Sequence, residues 1–299
     1  MLEITKGNFS VRILAHSINQ VGCEAITFQS TYENGIIHKQ VMTHRWSRNA
    51  ESGRAVPMAK RLARIGDDPA MPLHLGRNQS GMQRSAEEVD NVDEFDREIR
   101  ERYKDTAAWC ERMSEKYGAH KEIIARYIEP WDWITAVQTM GRDQLFHCFA
   151  QRCKPDATTN HQRLAVNMAR LYRQSTPKRL EPGEWHLPYW DGPTIKGKHT
   201  DPELREPLIW SAARMAWCSY GSPDKVSTLE RATIRHDGCI TEKHPTPLEH
   251  QLRARPDRGR TGVVPGFDWY RGMVFGEPLE PFDFDVLDTT YRDCDYVIP

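Results

Sequence analysis

Residues 40–54, QVMTHRWSRNAESGR, contain many directional polar side chains in a short stretch, which we call the arginine stretch. Its guanidinium groups can bind phosphate or carboxylate oxygens through paired hydrogen bonds. Its last three residues, Ser52, Gly53 and Arg54, place a hydroxyl, a permissive backbone and a guanidinium in a row, which favours anion binding. The alternative interpretation is a helix end that runs into a solvated, capped turn.

Residues 236–250, HDGCITEKHPTPLEH, form a second polar group, which we call the histidine stretch. Five of its side chains are possible metal ligands, namely His236, Asp237, His244, Glu249 and His250. The spacing is not HExxH, and no acid is placed on a helix as an evident general base. We therefore predict no metal site and keep a metal-dependent hydrolase as a minor alternative.

The composition is that of a soluble protein with a substantial core. The chain has 299 residues, a formal net charge of −1, 38% hydrophobic and 28% charged residues, and a mean hydropathy of −0.71. We find no apolar run of membrane-spanning length and no secretory signal at the start. The balanced charge argues against a nucleic-acid partner. Seven cysteines without a CxxC pair indicate reduced thiols, so we expect a cytoplasmic protein (the host cytoplasm if a phage encodes it) with no membrane partner.

Two strands and a short helix precede the arginine stretch. Residues 11–16 and 24–32 are rich in β-branched and aromatic residues, which predicts strands. An Asn-Gly pair then marks a turn, and residues 36–43 predict a helix that places Gln40 and His44 on one face. The arginine stretch would leave this helix onto a loop, where functional residues are common.

Helical patterns dominate the middle of the chain. Residues 58–65 and 86–118 predict helices, and residues 120–130 predict a helix that ends at a proline. Residues 131–140, WDWITAVQTM, fit a strand or a helix equally well. Two amphipathic helices are predicted after them, at residues 141–152 and 160–174.

A proline-rich segment divides the chain. We predict a core part at residues 1–176, a linker or arm at residues 177–207 and a second part at residues 208–299. Aromatic residues in the linker indicate that it packs on another surface. In the second part, residues 208–219 and 222–234 predict helices, and the acidic, aromatic C-terminal segment predicts an arm over the core.

The common nucleotide and hydrolase motifs do not occur in the chain. We find no GxGxxG, no P-loop and no GxSxG. The remaining polar groups are arginines, amides and histidines, which suit a polyanionic, ring-bearing ligand such as a nucleotide or a flavin.

Several segments together resemble the flavin-dependent thymidylate synthases, the ThyX family. The segment THRWSRNAESGR resembles the RHRxxSxNxxSxR signature of that family, and Gln40 sits where the family has a glutamine shortly before it. The segment HKEIIARYIEP is similar to a family segment with an arginine four residues before a proline. The segments FAQRCKPDA and HPTPLEH resemble the LRxxxxAQ helix and the HxTPFEH element. The segment GFDWYRG resembles GNFxGWxQYRK of a long-chain branch in bacteria and phages.

The chain departs from the short form of that family in order and in detail. The HxTPFEH element precedes the signature there and follows it here, which a fold tolerates if the same elements meet in space. Thr43 replaces the first arginine of RHR. Only Trp46 separates Arg45 from Ser47, where the family usually has two residues. Thr158 replaces the glutamine of LRxxxxAQ.

The resemblance implies an α+β fold with a central antiparallel-rich sheet and flanking helices, assembled as a homotetramer with active sites between subunits. The implied reaction is reductive methylation of dUMP to dTMP, with methylenetetrahydrofolate and NADPH as co-substrates and FAD as the cofactor. The chemistry agrees with the residues present. Guanidinium and backbone donors bind phosphate, and an arginine at the pyrimidine carbonyls stabilises negative charge.

The resemblance also implies roles for individual residues. The nucleotide would be bound by Gln40, Ser52, Gly53, Arg54, Arg126 and Arg152. Arg152 would lie at the pyrimidine, and Arg152 and Ser52 are the catalytic candidates. FAD would be held by His44, Arg45, Asn49, His147, His244, Thr246 and Glu249. Asn49 and Glu51 would also support the loop.

Two further readings of the resemblance stay open. The altered signature and the replaced glutamine are compatible with a relative that acts on another pyrimidine nucleotide, such as dCMP, or that transfers a hydroxymethyl group. The shortened signature is also compatible with a nucleotide- or flavin-binding protein without turnover.

Overall fold

The structure is a computed structural model that describes residues 2–221 and 225–276. Its architecture is mixed α and β, with a mainly antiparallel central sheet and helices packed against it, which confirms the predicted fold class. The C-terminal segment, predicted as an arm, lies outside the described residues. So do residues 222–224, which were predicted to start a helix.

The central sheet has the strand order β1-β2-β3-β5-β4, and each neighbouring pair is antiparallel. A short strand, β6, adds to β2 in parallel. The strands are β1 (Glu3–Lys6), β2 (Phe9–Asn19), β3 (Glu24–Glu33), β4 (Ser47–Ala50), β5 (Trp133–Gly141) and β6 (Lys178–Leu180).

A second, three-stranded antiparallel sheet has the order β7-β8-β9. Its strands are β7 (Trp185–His186), β8 (Leu252–Ala254) and β9 (Phe267–Trp269). The helices are α1 (Asn34–Val41), α2 (Met58–Ile65), α3 (Val92–Tyr117), α4 (Lys121–Ile128), α5 (Arg142–Arg152), α6 (Thr159–Gln174), α7 (Pro202–Cys218), α8 (Leu229–Thr241) and α9 (Tyr270–Phe275). Short 3-10 turns occupy Glu129–Trp131 and Thr246–Glu249.

The strand β5 is buried along its whole length and forms the centre of the core. On one face, Met140 packs with Leu145 of α5 and Leu164 of α6. On the other face, Val137 packs with Met215 of α7. A strand covered on both faces shows no regular alternation of apolar and polar residues, which explains why the sequence alone fitted strand and helix equally well.

A series of buried hydrogen bonds crosses the central sheet and links its strands to histidines from the second half of the chain. His186 bonds Ser17 through Nδ1 and Thr27 through Nε2, both at 2.9 Å. Thr27 bonds Thr139 at 2.7 Å, and Thr139 bonds Nδ1 of His250 at 2.8 Å. Both imidazoles are fully buried, and burial lowers the pKa of each to about 3, so both are neutral at physiological pH.

Several predicted element bounds are wrong, and each error has a local cause. The helix predicted at 86–118 begins only at Val92. The residues before it are not helical, because Arg77 N donates to Glu87 O at 2.8 Å beside an antiparallel β-bridge between Gly76 and Glu88. The helix predicted at 222–234 begins at Leu229, where Thr228 Oγ1 accepts a bond from Arg231 N at 3.3 Å. The helix predicted at 208–219 starts earlier, at Pro202, because proline is favoured at the first position of a helix.

The segment predicted as a linker contributes β6 and β7 to the two sheets. Trp185 and Tyr189 are buried in it, as expected for a segment that packs on another surface. The three-part division itself stays a prediction. Within the described residues, the cysteines are free thiols, and no helix is long and apolar enough to cross a membrane.

Candidate functional site

The arginine stretch contains an edge strand of the central sheet, so the prediction of a surface loop is wrong for its middle part. The strand β4 pairs with β5, with Ser47 opposite Thr139 and Asn49 opposite Val137. This partner lies far away in sequence, so local patterns carry no signal for it. Because side chains alternate along a strand, Ser47 and Asn49 are buried while Arg48 is half-buried.

The segment after β4 is anchored to the second half of the chain. Ser52 N donates to Ser219 O at 2.9 Å, and the side-chain amide of Asn49 donates to Met215 O. The Glu51 carboxylate accepts from Arg64 Nη1 at 2.6 and 2.7 Å and from Thr135 N at 3.2 Å. Arg64 also pairs with buried Asp132 at 2.6 Å. The positions of Asn49 and Glu51 therefore fit the predicted role of supporting this segment.

A cavity of about 480 Å³, which we call the first cavity, opens beside this anchored segment. It brings Ser52 and Arg54 of the arginine stretch together with His244 and Thr246 of the histidine stretch, although these lie far apart in sequence. The cavity is lined by Asn49, Ser52, Arg54, Ala55, Lys121, Ala216, Ser219, Tyr220, Arg235, Cys239, Glu242, His244, Thr246 and Pro247.

Two predicted nucleotide-binding arginines share one carboxylate next to the first cavity. Glu122 Oε1 accepts from Arg54 Nε at 3.0 Å and from Arg126 Nη2 at 3.4 Å. The two guanidinium groups, Arg54 foremost, lower the pKa of this half-buried carboxyl. Both arginines are largely exposed, at 75% and 70% of their side-chain surface. Their free N–H groups can therefore bind an anion from solution.

The other predicted residues of the histidine stretch have different surroundings. His244 is 69% exposed and contacts Glu242 at 3.4 Å, and Thr246 is also exposed. Glu249 forms an ion pair with Arg271 and is half-buried. Desolvation raises the pKa of Glu249, and Arg271 opposes that shift. Thus His244 and Thr246 are open to a ligand, whereas Glu249 already has a partner.

A second cavity, of about 500 Å³, lies at the start of the arginine stretch. It contains three of the predicted cofactor-binding residues, His44, Arg45 and His147. Its lining consists of Thr43, His44, Arg45, Asp143, Gln144, His147 and Gln151. The two histidines come from different elements, since His147 lies on α5.

Arg152 and Gln40 lie close to this second cavity. Arg152 Nε donates to His44 Nε2 at 3.4 Å, and His161 Nδ1 lies 3.3 Å from Gln40 Oε1. Gln40 Nε2 also donates to Thr158 Oγ1 at 3.4 Å. Desolvation, together with the Arg152 cation, lowers the pKa of His44 to about 4 and that of His161 to about 3. Both rings are neutral at physiological pH and able to accept a hydrogen bond.

A single chain does not bring all the predicted site residues into one cavity. Ser52, Gly53, Arg54, Arg126, His244 and Thr246 form one group, and Gln40, His44, Arg45, His147 and Arg152 form another. Within the described ranges, no hydrogen bond or ion pair joins the two groups. The four-residue strand β4, about 13 Å long at about 3.3 Å per residue, lies between His44 and Arg45 on one side and Ser52 and Arg54 on the other along the chain.

Sequence reasoning missed Lys121 and Arg235, which line the first cavity. A weak signal existed for Arg235, because Arg235 and Cys239 are four residues apart and so share the face of α8 that the cavity exposes. It also missed His161, whose contact with Gln40 depends on the packing of α6 against α1, and no local pattern indicates that packing.

Three buried ligand-type side chains meet near Arg152, in a group that the sequence did not suggest. Atoms of His44, Cys148 and His161 lie within 4.8 Å of one another. Burial raises the pKa of the Cys148 thiol to about 12, and the Arg152 cation beside His44 opposes a divalent ion. We assign no metal there. Elsewhere in the described residues, the possible ligands of the histidine stretch form no such group.

The chain is similar to known proteins. The solved structures it resembles include a UMP/dUMP methylase, PolB, from Streptomyces cacaoi. The form bound with 5-Br dUMP has 17% identity and a TM-score of 0.42, over 50% of this chain and 67% of that chain. The form bound with 5-Br UMP has 12% identity and a TM-score of 0.44, over 56% and 90%. No curated protein matches the chain.

The family model described as thymidylate synthase complementing protein matches residues 23–178, more than half of the chain. The chain therefore belongs to the thymidylate synthase complementing protein family.

Proposed function

We propose that this protein is a flavin-dependent thymidylate synthase that converts dUMP to dTMP. Methylenetetrahydrofolate would supply the one-carbon unit and leave as tetrahydrofolate. NADPH would supply the two reducing electrons through FAD. Family membership supports a role in thymidylate synthesis, and the residues of the two cavities support the finer assignment.

The observation that carries the proposal is the composition of the first cavity. It joins the Ser52 and Arg54 end of the arginine stretch to His244 and Thr246 of the histidine stretch. Both stretches were singled out independently from the sequence, and each carries a different part of the family resemblance. Their meeting in one cavity is what a nucleotide site beside a flavin site requires.

The side chains of the first cavity fit a phosphorylated, ring-bearing ligand. Guanidinium, ammonium, hydroxyl and imidazole groups all line it, and these are the usual donors to phosphate oxygens. Its volume of about 480 Å³ lies within the range of about 300–1,000 Å³ that is typical of ligand sites. FAD bound there would supply the redox chemistry that protein side chains lack.

Within this proposal, Ser52, Arg54 and Arg126 bind the phosphate of dUMP. Arg54 and Arg126 offer guanidinium donors from adjacent elements, and Glu122 holds them side by side. A carboxylate between two cations orients them, and it leaves each with further N–H groups for a ligand. Ser52 contributes its hydroxyl from a backbone that is fixed by Ser219.

Arg152 stabilises negative charge on the pyrimidine in this proposal. The neutral ring of His44 accepts from Arg152 Nε, so the remaining guanidinium N–H groups are directed elsewhere. Gln40 is held from both sides by His161 and Thr158 and presents an amide to the same region. A cation held in a fixed orientation stabilises developing charge more strongly than a mobile one.

The two groups of residues form one complete site only if a second copy of the chain contributes. We propose a homotetramer in which the Arg54 group of one subunit faces the Arg152 group of another. This assembly would also bring the cofactor residues of both cavities together. We further propose that the protein works in the cytoplasm.

An assay with dUMP and dCMP side by side, each with methylenetetrahydrofolate, NADPH and FAD, tests the function. We expect dTMP from dUMP and no methylated product from dCMP. Methylated or hydroxymethylated product from dCMP alone would favour the related transferase. Absence of product from both nucleotides, with the nucleotide still bound, would favour a binding protein without turnover. The Arg152→Ala variant serves as the inactive control.

A further inference from the structure

Arg235 is a cation of the first cavity that no sequence motif assigned. It lies on α8, and its guanidinium sits over the rings of Trp217 at 5.6 Å and Tyr220 at 5.1 Å. Stacking on two rings fixes the guanidinium plane and leaves its edge N–H groups available. In the part of the chain that the structure describes, no carboxylate lies within ion-pair distance of it.

Lys121 is a second unassigned cation in the same cavity. It is the first residue of α4 and is half-buried. Its Nζ donates one hydrogen bond, to Ala55 O at 3.2 Å, and an ammonium has three N–H groups to donate. Among the residues described, Lys121 has no carboxylate partner, whereas Arg54 next to it is paired with Glu122.

The charges around the first cavity are unbalanced in favour of an anion. Arg54, Lys121 and Arg235 line it, and among the described residues Glu242 is the one carboxylate in the lining. Glu242 Oε2 lies 3.4 Å from His244 Nε2, so one oxygen of that carboxylate already has a partner. Three cations from three different elements converge on one cavity, and such convergence favours a ligand with more than one negative charge.

We propose that Lys121 and Arg235 bind the diphosphate of a dinucleotide ligand, separately from the Arg54 and Arg126 pair that binds the monophosphate of dUMP. This inference rests on the proposed function, because the ligand assigned next to His244 and Thr246 is FAD. Two cations held by different elements match two adjacent phosphates. Riboflavin, which lacks phosphate, would not use them.

The competing explanation is that Arg235 only packs α8 against Trp217 and Tyr220. That role would affect stability but would not distinguish a phosphorylated ligand from an unphosphorylated one. A comparison of FAD, ADP and riboflavin therefore separates the two explanations. ADP carries a diphosphate without a flavin, so it tests the phosphate position even if the protein binds no flavin.

The experiment measures the affinities of the full chain for FAD, ADP, riboflavin and dUMP by calorimetric titration. The variants are Arg235→Ala, Arg235→Lys and Lys121→Met. Arg231→Ala is the control, because Arg231 lies one turn earlier on α8 and is exposed. Melting temperatures identify any variant that fails to fold. Lys121→Met keeps the proposal testable if Arg235→Ala is such a variant.

We expect Arg235→Ala and Lys121→Met each to weaken FAD and ADP binding at least about tenfold, as for the loss of a charged hydrogen bond. Riboflavin and dUMP affinities should stay unchanged, Arg235→Lys should recover part of the loss, and Arg231→Ala should have no effect. Unchanged FAD and ADP affinities in both variants would overturn the proposal, and so would an equal loss of riboflavin binding.

The same titrations distinguish failure of this inference from failure of the proposed function. Wild-type protein that binds ADP through Lys121 and Arg235 but binds no flavin supports the phosphate position and contradicts the flavin enzyme. Wild-type protein that binds FAD with no dependence on these two residues supports the enzyme and overturns the phosphate position. Wild-type protein that binds neither ligand overturns the inference.

Discussion

Arg54 Nε lies 3.0 Å from Glu122 Oε1, across 68 residues of sequence. This contact ties the end of the arginine stretch to α4, which also carries Arg126. Since the Arg54 side chain is 75% exposed, the pair contributes little to stability. Its main consequence is that two guanidinium groups are presented together beside the first cavity.

Replacing Arg54 by alanine should therefore weaken dUMP binding without harming the fold. We expect a loss of about 10- to 100-fold in affinity, the size of one charged hydrogen bond of about 1.5–3 kcal/mol. The free energy of unfolding should change by less than about 1 kcal/mol. Calorimetric titration and urea unfolding measure the two quantities. The matched control is Arg97→Ala, an exposed arginine on α3, and wild-type affinity in the Arg54 variant would contradict the site assignment.

Mixing two inactive variants tests whether the site is shared between subunits. Arg54→Ala and Arg152→Ala remove one residue from each group, and at a dUMP concentration near the wild-type Kd each should lower turnover at least about tenfold on its own. If the groups meet across an interface, mixed oligomers contain some sites with both residues intact. We expect dTMP formation to return when the variants are co-refolded. A mixture that stays as inactive as either variant would contradict the shared site.

Breaking the buried ion-pair cluster under Glu51 should destabilise the protein far more than breaking a surface pair. Arg64→Met leaves Glu51 buried without its cation, and the loss of one partner from a buried pair costs about 3–5 kcal/mol. The exposed i,i+3 pair Arg97–Glu94 provides the control, and Arg97→Met should cost less than about 1 kcal/mol. Urea unfolding measures both, and similar losses would show that the cluster does not hold the segment after β4.

Stability should fall as the pH drops below about 6.5, because of the buried neutral histidines. The folded pKa of His186 and of His250 is about 3, below the ordinary value of 6.5. The unfolded chain therefore takes up protons in this window while the folded chain does not. Each such histidine removes up to about 1.4 kcal/mol of unfolding free energy per pH unit.

The measurement is the slope of unfolding free energy between pH 6.5 and pH 5, from urea unfolding at each pH. His250→Asn should reduce that slope by about one proton, whatever it does to the absolute stability. The control is Ile234→Asn at an exposed side chain, which removes no titrating group and should leave the slope at its wild-type value. An equal slope in His250→Asn and wild type would show that this ring is not neutral in the folded protein.

The sequence predicted those elements whose signals are local. The helix at residues 58–65 has the predicted bounds, and the strands predicted at 11–16 and 24–32 lie within β2 and β3. The strand β4 was missed because β5, the strand with which it pairs, lies more than eighty residues away. The hydrogen bond between Thr139 and His250 was equally unpredictable, since it depends on how two distant halves dock.

The assignment of the site residues stays a prediction. Both motif stretches were recognised, and their meeting in the first cavity follows the expected permuted order. The resemblance implied active sites between subunits, but it did not indicate which predicted residues would lie together within one chain. It also missed Lys121 and Arg235, because single cations on helices resemble ordinary surface residues until the packing of α4, α7 and α8 is known.

The visible spectrum of the purified protein tests the central claim most directly. The proposed enzyme should bind FAD and show flavin absorption bands, and NADPH added without oxygen should bleach them. Adding dUMP with methylenetetrahydrofolate to the bleached protein should restore the bands and yield dTMP. Protein that stays colourless after incubation with FAD, or reduced flavin that dUMP and the folate do not reoxidise, would contradict a flavin-dependent thymidylate synthase.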